Sequence, residues 1–389
     1  MKDAPPPAAA YGVREIDGGG LTLSPMRFTG IGSEYFRIWV VNMLLTLLTL
    51  GIYSAWAKVR KSRYFLQNTQ LDGHAFDYHG DPKAILLGRV VALVLLLCYS
   101  FAFDVSRAAG VVMVLVMCAI GPWLFMRAQR FRLANTSWRG LRFGFDAQPR
   151  EAYRVVVLPL VIWFSSAITA AFVGTTRDLE YTAGAMAAAV VLTLLLTPWM
   201  HHRLKAYQHA RARYGNQAFT FVPATRSFYA IYGIAVLLVL VGALLGFGMV
   251  LAWAWLDVPT PAVSAGPRAM AFIIGGVVGL VVFLIAWPYF AARMQQVVWR
   301  HTRLGDVRFR TRIDAGPLAK LTLRNVLLTL FTLGLYWPFA AVALARYRIE
   351  CMGIESPRAL RELAQAMQAA PGAAAGDAVL DTFGLDIGL

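Results

Sequence analysis

The side chains best placed to do chemistry in this sequence are polar groups inside apolar segments. Two segments of nearly the same sequence carry the same three groups, at Asn42, Thr46, Thr49 and at Asn325, Thr329, Thr332. The seven-residue spacing from Asn42 to Thr49 places each set on one stripe of an α-helix. Such a stripe either binds helices together or lines a pathway across the bilayer. Packing is the favoured interpretation, and this stripe is the strongest functional candidate in the chain.

A second candidate is an arginine that occupies the same place in four repeated segments, at Arg60, Arg127, Arg203 and Arg293. It follows an interfacial aromatic residue by one helical turn, as an anchor at the membrane boundary does. Binding of anionic lipid headgroups or an internal salt bridge is the favoured interpretation. Capture of an anionic substrate by converging arginines is the alternative.

The histidines do not form a metal site. His74 and His79 are five residues apart in an extended segment, so they point to opposite faces. His202 and His209 share a helix face but stand about 10 Å apart along the axis, too far to share one ion. No catalytic or nucleotide-binding motif is present, and carboxylates are nearly absent from the apolar segments. The sequence therefore predicts a protein that is not an enzyme and holds no cofactor or metal.

A repeated linker positions these residues. The stretch from Trp56 to Tyr78 returns without a gap at an offset of 67 residues and, more weakly, at offsets of 143 and 233. Eight apolar segments flank the four copies: Tyr35–Tyr53, Ile85–Phe103, Gly110–Phe125, Tyr153–Val173, Ala183–Trp199, Phe228–Trp255, Met270–Phe290 and Leu318–Val342. Runs of this length and composition predict an all-α polytopic membrane protein of about eight apolar helices in tandem repeats.

Each linker has its own predicted structure. It begins as a helix, breaks at Asp72-Gly73 in the first copy, and continues as a short strand in which alternate residues are aromatic. We expect the strands near Phe76, Phe143, Phe219 and Phe309 to pair into a small cytoplasmic sheet or cap. The linkers carry most of the Arg and Lys, which the positive-inside rule places in the cytoplasm.

The composition supports a membrane protein. Of 389 residues, 58% are hydrophobic and 15% are charged, against roughly 25% charged in soluble domains. The net charge of +16 lies in short blocks beside apolar runs, which favours anionic headgroups over nucleic acid as the partner. The predicted organisation is a disordered tail (1–26), a membrane domain (27–352) with linkers at about 56–84, 123–152, 199–227 and 289–317, and a largely disordered tail (353–389).

The first and last apolar segments leave two topologies open. If each spans once, both termini face away from the linkers. If each dips into the membrane and returns, bending at Gly51 or Gly334, both termini lie on the linker side. The length of each run favours a single span.

Several of these motifs resemble one known family. FTG at Phe28, EYFRIWVVN at Glu34, TLGIYSAWAKVR at Thr49 and the RYFLQNTQLDG that follows are similar to the YjgN-like bacterial inner-membrane proteins, a family of unknown function. The third and fourth linkers depart from the pattern, with Arg211 and His301 in place of Asn. The resemblance implies a multi-pass protein of the bacterial inner membrane and supplies no catalytic residue.

Two functions remain as hypotheses. One is transport or conduction of a small solute; the other is a membrane scaffold or lipid-binding protein with a basic cytoplasmic face. The sequence does not determine a substrate or an oligomeric state.

Overall fold

The computed structural model describes residues 22–173, 179–255 and 267–356, which hold ten α-helices and ten β-strands. The helices are α1 (Gly32–Leu48), α2 (Ser54–Gln67), α3 (Pro82–Val105), α4 (Arg107–Ala134), α5 (Pro149–Val173), α6 (Leu179–Ala210), α7 (Thr225–Trp255), α8 (Pro267–Arg300), α9 (Ala315–Phe331) and α10 (Trp337–Glu350). The strands are β1 (Thr22–Phe28), β2 (Thr69–Leu71), β3 (His74–Tyr78), β4 (Thr136–Trp138), β5 (Leu141–Phe145), β6 (Ala212–Tyr214), β7 (Gln217–Phe221), β8 (Thr302–Leu304), β9 (Val307–Thr311) and β10 (Met352–Ser356).

The strands close into one antiparallel barrel in the order β1-β10-β9-β8-β7-β6-β5-β4-β3-β2. Each linker supplies one hairpin, and the strands predicted near Phe76, Phe143, Phe219 and Phe309 are β3, β5, β7 and β9. The all-α prediction is wrong, because neighbouring hairpins pair edge to edge until no strand edge remains open.

The two ends of the chain complete the barrel. Strand β1 pairs with β10, where Thr22 lies opposite Ser356, and with β2, where Met26 lies opposite Leu71. These ends thus form a fifth unit equivalent to the four linkers. The strands begin and end outside the predicted domain limits of 27 and 352, and the predicted tails at 1–21 and 357–389 lie outside the described residues.

Tight turns make the first two hairpins. Asp72 and Gly73 have φ angles of 51° and 74°, and Arg139 and Gly140 have 49° and 80°. Two consecutive positive φ angles are typical of type I′ turns, whose twist matches that of the flanking strands. The two-residue loops set the register of each strand pair. Each linker therefore enters and leaves the barrel at the end where the helices lie.

The helices form a closed ring at that end. Each helix contacts the next in sequence, and α1 contacts α10. Four helices of the described chain are long and apolar enough to cross a membrane: Pro82–Val105, Arg107–Ala134, Thr225–Ala252 and Phe272–Arg300. The prediction of eight such helices is therefore wrong. Residues 174–178, which join α5 to α6, and residues 256–266, which join α7 to α8, lie outside the described part.

The first and last apolar segments are helical hairpins. Helices α1 and α9 are each 17 residues long and end in turns where Gly51 and Gly334 have φ angles of 94° and 92°. The hydroxyls of Thr49 and Thr332 close these turns, each accepting a hydrogen bond of 2.9 Å from the backbone N–H four residues later. The single-span prediction is wrong, since α2 and α10 return the chain to the barrel.

Candidate functional site

The rest of the polar stripe is used within these hairpins. Thr46 donates to the Asn42 carbonyl at 2.6 Å, and Thr329 donates to the Asn325 carbonyl at 2.6 Å. Both asparagines are buried. Asn325 Nδ2 also donates to the Ala340 carbonyl of α10 at 3.4 Å, which links the two arms of that hairpin. These contacts lie within the hairpins, and the role of the stripe, in packing or in a pathway, stays a prediction.

The four repeated arginines each contact their own repeat. The guanidinium carbons of the second and third lie 5.2 and 4.8 Å from the centroids of tryptophan rings one turn earlier, close enough for cation–π attraction. Contact with lipid headgroups stays a prediction. The four pairs are Arg60 with Asn42, Arg127 over Trp123, Arg203 over Trp199, and Arg293 with Gln296.

A serine on β4, a histidine just after β3 and an aspartate on β3 lie together. Ser137 Oγ is 2.8 Å from His79 Nε2, and His79 Nδ1 is 3.9 Å from Asp77 Oδ2. The second distance is too long for a hydrogen bond. The other oxygen of Asp77 already accepts from Gln67 Nε2 and from the Tyr78 backbone N–H. The aspartate thus does not orient the imidazole as a catalytic triad requires, and the serine–histidine bond links two strands.

The barrel interior is lined by residues at equivalent positions of the five units. Inward and outward side chains alternate along a strand, so each unit supplies one residue to each of two stacked rings. We call the ring beside the hairpin turns the plug ring; it consists of Leu71, Trp138, Tyr214, Leu304 and Ile354, all buried. The ring nearer the helices is the middle ring, made of Met26, Phe76, Phe143, Phe219 and Phe309.

The plug ring seals one end of the barrel. The Tyr214 ring lies 4.8 Å from Phe143 and 5.8 Å from Trp138, measured between centroids. Its hydroxyl donates to the Trp138 carbonyl at 2.9 Å, and burial raises the pKa of Tyr214. The tyrosine is therefore neutral at physiological pH, and its hydroxyl is used within the barrel wall.

An apolar cavity of about 290 Å³ remains inside the barrel. Leu66, Leu133 and Trp299, from the last turns of α2, α4 and α8, line its helix end. The apolar atoms that line an empty cavity lack packing partners on one side, so an apolar occupant would stabilise the barrel.

A second cavity, the cationic cleft, has a volume of about 700 Å³ and lies between α2, α3 and α4. Its basic residues are Lys58, Lys61, Arg89 and Arg132, and no carboxylate occurs among its described lining residues. Arg89 donates to the Ser54 hydroxyl. The remaining walls are mostly apolar. Lys58, Lys61 and Arg132 are exposed and Arg89 is half-buried, so the positive charges line an open cleft.

The charges of the cleft influence one another. Burial, then Arg89 and Arg132, lower the pKa of Lys58. Burial and then Arg132 lower the pKa of Lys205, while burial, Lys205 and Arg132 lower the pKa of His209 to about 4. None of these three titrating groups lies in one of the four apolar helices named above. His209 is neutral at pH 7, and the uncompensated cations would be stabilised by a bound anion.

The two cavities are adjacent. Leu66, Leu133 and Thr136 line both the barrel cavity and the cationic cleft. A ligand could therefore hold an anionic group among the cations of the cleft and an apolar group inside the barrel. The combined site therefore has a cationic part, the cleft, and an apolar part, the barrel cavity.

Sequence reasoning missed the cationic cleft. Lys58, Lys61 and Arg132 fall within the predicted linkers and Arg89 falls within the second apolar segment, so no single motif contains all four. One signal was available: the 67-residue offset places Arg132 where the first repeat has Phe65, and Lys58 where the second has Phe125. Such departures from an otherwise shared pattern mark positions where a repeat has a separate role.

Comparison with known proteins gives a family but no activity. The model of the family described as "Bacterial protein of unknown function (DUF898)" matches residues 23–382. Proteins named "Inner membrane protein YjgN" are 31% identical over 157 residues in Salmonella typhimurium LT2 (38% of this chain, 40% of the relative) and 30% identical over 176 residues in Escherichia coli O157:H7 (43% of each). The chain thus spans about two fifths of the curated relatives it matches. No solved structure matches significantly.

Proposed function

Because this chain belongs to the DUF898 family of bacterial proteins of unknown function, whose curated relatives are named inner membrane proteins, we propose that it binds anionic amphiphiles in that membrane. The observation that carries the proposal is the cationic cleft, where Lys58, Lys61, Arg89 and Arg132 line one cavity that shares wall residues with an apolar one. The ligand class is a lipid with a carboxylate or phosphate headgroup.

The chemistry of the cleft favours an anion. Arginine and lysine donate charge-assisted hydrogen bonds to carboxylate and phosphate oxygens. With no carboxylate among the described lining residues, the cations have no intramolecular counter-charge in the cleft itself. Burial and then repulsion by Arg89 and Arg132 lower the pKa of Lys58, and an anionic headgroup would offset that repulsion.

Solute conduction has less support. The plug ring closes the barrel with apolar and aromatic side chains, and the polar stripe makes hydrogen bonds within the hairpins. A hydrated solute crossing the barrel would lose its water without finding polar partners. Transport by another route stays a prediction, which a flux assay in proteoliposomes would test.

We place the barrel on the cytoplasmic side. The linkers that form it carry most of the basic residues of the chain, as the positive-inside rule requires. Since β1 and β10 belong to the same barrel, residues 22 and 356 would lie on that side too. A topology reporter fused after residue 356 should give a cytoplasmic signal, and a periplasmic signal would contradict this orientation.

Lipid retention tests the proposal. The purified protein, exchanged into mixed phosphatidylglycerol and phosphatidylcholine, should retain phosphatidylglycerol when its bound lipids are measured by native mass spectrometry. The double variant Lys58→Gln/Arg132→Gln should retain about a hundredfold less, because it loses two charge-assisted contacts that are each worth roughly 1.5 kcal/mol.

The matched control is Lys83→Gln/Arg142→Gln. It removes the same charge from two exposed positions, at the start of α3 and on β5, and neither residue lines the cleft. It should retain phosphatidylglycerol as the wild type does. Equal loss in both double variants, or equal retention of the two lipids by the wild type, would contradict a specific anion site.

A further inference from the structure

We infer that the apolar cavity of the barrel is a binding site for one acyl chain, whose anionic head lies in the cationic cleft. The inference rests on the proposed function, and it adds where the apolar part of the ligand goes. The ligand class is a long-chain anionic amphiphile, either a free fatty acid or one chain of an anionic phospholipid.

The cavity is a blind compartment. Its far end is closed by the plug ring, in which all five residues are buried. Its near end is lined by Leu66 and Leu133, which the cavity shares with the cleft. A chain that enters between these leucines must end inside the barrel, so the site would accept an extended chain end and stop it at Trp138.

The walls offer nothing to water. The cavity is lined almost wholly by aliphatic and aromatic side chains. The two threonines at its rim are already satisfied, since Thr69 donates to the Phe65 carbonyl at 2.7 Å and Thr136 to the Arg132 carbonyl at 2.9 Å. Apolar cavities of roughly 150 Å³ stay dry and take up apolar guests, and this one is larger.

The position of the charge selects the ligand class. Arg132 and Leu133 are consecutive at the end of α4, so the cation and the shared rim are one residue apart in sequence. A neutral hydrocarbon would make favourable contacts in the cavity but not in the cleft, whereas a small anion would make them in the cleft but not in the cavity. Only a molecule with both parts fills the two compartments.

Trp138 in the plug ring and Trp299 at the helix end make the cavity readable by fluorescence. Fatty acids brominated either near the chain end or near the carboxylate serve as contact quenchers, and subtracting Trp138→Phe or Trp299→Phe isolates each emission. We expect the distal bromine to quench Trp138 more strongly and the proximal bromine to quench Trp299 more strongly. Trp255, 87% exposed at the end of α7, should show no such reversal and reports partition into the surrounding lipid or detergent.

The same measurement with phosphatidylglycerol brominated along one chain shows whether the bound chain belongs to a free fatty acid or to a phospholipid. Quenching of Trp138 by either probe supports the acyl-chain site. Val307→Phe, which adds bulk to the cavity wall, should weaken quenching of Trp138 about tenfold. If that variant does not fold, the comparison of bromine positions in the otherwise unaltered protein still decides.

Failure of this inference differs from failure of the proposed function. If Trp255 is quenched but Trp138 is not, while Lys58→Gln/Arg132→Gln still reduces phosphatidylglycerol retention, the head site stands and the barrel site is overturned. If Lys58→Gln/Arg132→Gln does not change phosphatidylglycerol retention but quenching of Trp138 depends on the bromine position, the proposed head site is wrong. The inferred link between the head site and the chain site is then wrong as well.

Discussion

The barrel interior and the cationic cleft follow the internal repeat in opposite ways. The plug ring takes one large side chain, aliphatic or aromatic, from each of the five units, and the result is a symmetric seal. The cleft draws its cations from positions that neighbouring repeats fill differently, such as Arg132 against Phe65. Shared positions build the scaffold here, and unshared positions give one sector of it a distinct chemistry.

The largest effect should come from breaking the symmetric seal. Trp138→Ala removes a ring that is 4% exposed and packed against Phe76 and Tyr214, and should lower the free energy of unfolding by about 3–5 kcal/mol. Denaturant unfolding in detergent, followed by circular dichroism, measures this. Arg142→Ala on β5, an exposed residue, is the control and should change stability by less than about 0.5 kcal/mol.

Restoring the repeat in the cleft should separate stability from binding. Arg132→Phe puts the residue of the first repeat into the second, and we expect about tenfold or greater loss of phosphatidylglycerol retention, because a charged contact of roughly 1.5–3 kcal/mol is lost. The thermal midpoint should change little, since Phe is the residue that this position holds in the first repeat. Unchanged retention would show that departure from the repeat carries no function at this position.

The hairpin turns offer a smaller, purely conformational test. Gly51→Ala adds a methyl group that meets no atom within 4 Å, yet the φ of +94° is unfavourable for any L side chain. We expect a loss of about 1–2 kcal/mol in unfolding free energy. Gly248→Ala in α7 also meets nothing within 4 Å but has helical backbone, so equal or higher stability is expected there.

The smallest effect should come from the ion pair at the closing seam of the barrel. Arg310 Nε lies 2.8 Å from Glu355 Oε2, joining β9 to β10, but the arginine side chain is 63% exposed. Glu355→Gln should therefore cost less than about 1 kcal/mol, and less still in high salt. Chemical denaturation at two salt concentrations measures it; a larger loss would mean that the seam depends on this pair.

Much of the local structure could be read from the sequence. The aromatic alternation around Phe76 predicts a strand, and Asp72-Gly73 predicts the turn that precedes it. Gly51 and Gly334 were recognised as possible bends, although run length favoured a single span. Length misled here because the run Tyr35–Tyr53 is long enough for one crossing, whereas α1 ends at Leu48 and the last residues of the run form a turn.

The candidate site was less accessible to sequence reasoning. Lys58, Arg89 and Arg132 come from three helices and are separated by up to 74 residues, taken as 132 − 58. Periodicity relates residues within one helix, so it cannot show which faces of α2, α3 and α4 meet. The histidines and the polar stripe are visible in the sequence because their spacing lies within one helix or strand.

The sequence by itself determined the repeated unit, its helix–turn–strand order, and the apolar character that commits the chain to a membrane, since these depend on interactions between near neighbours. Only the tertiary structure decided that five units close into a barrel, that the chain ends supply the fifth, and that four cations share one cleft. Closure requires backbone hydrogen bonds between strands far apart in sequence, such as Thr22 with Ser356. Such pairings arise from the assembled geometry of the whole ring.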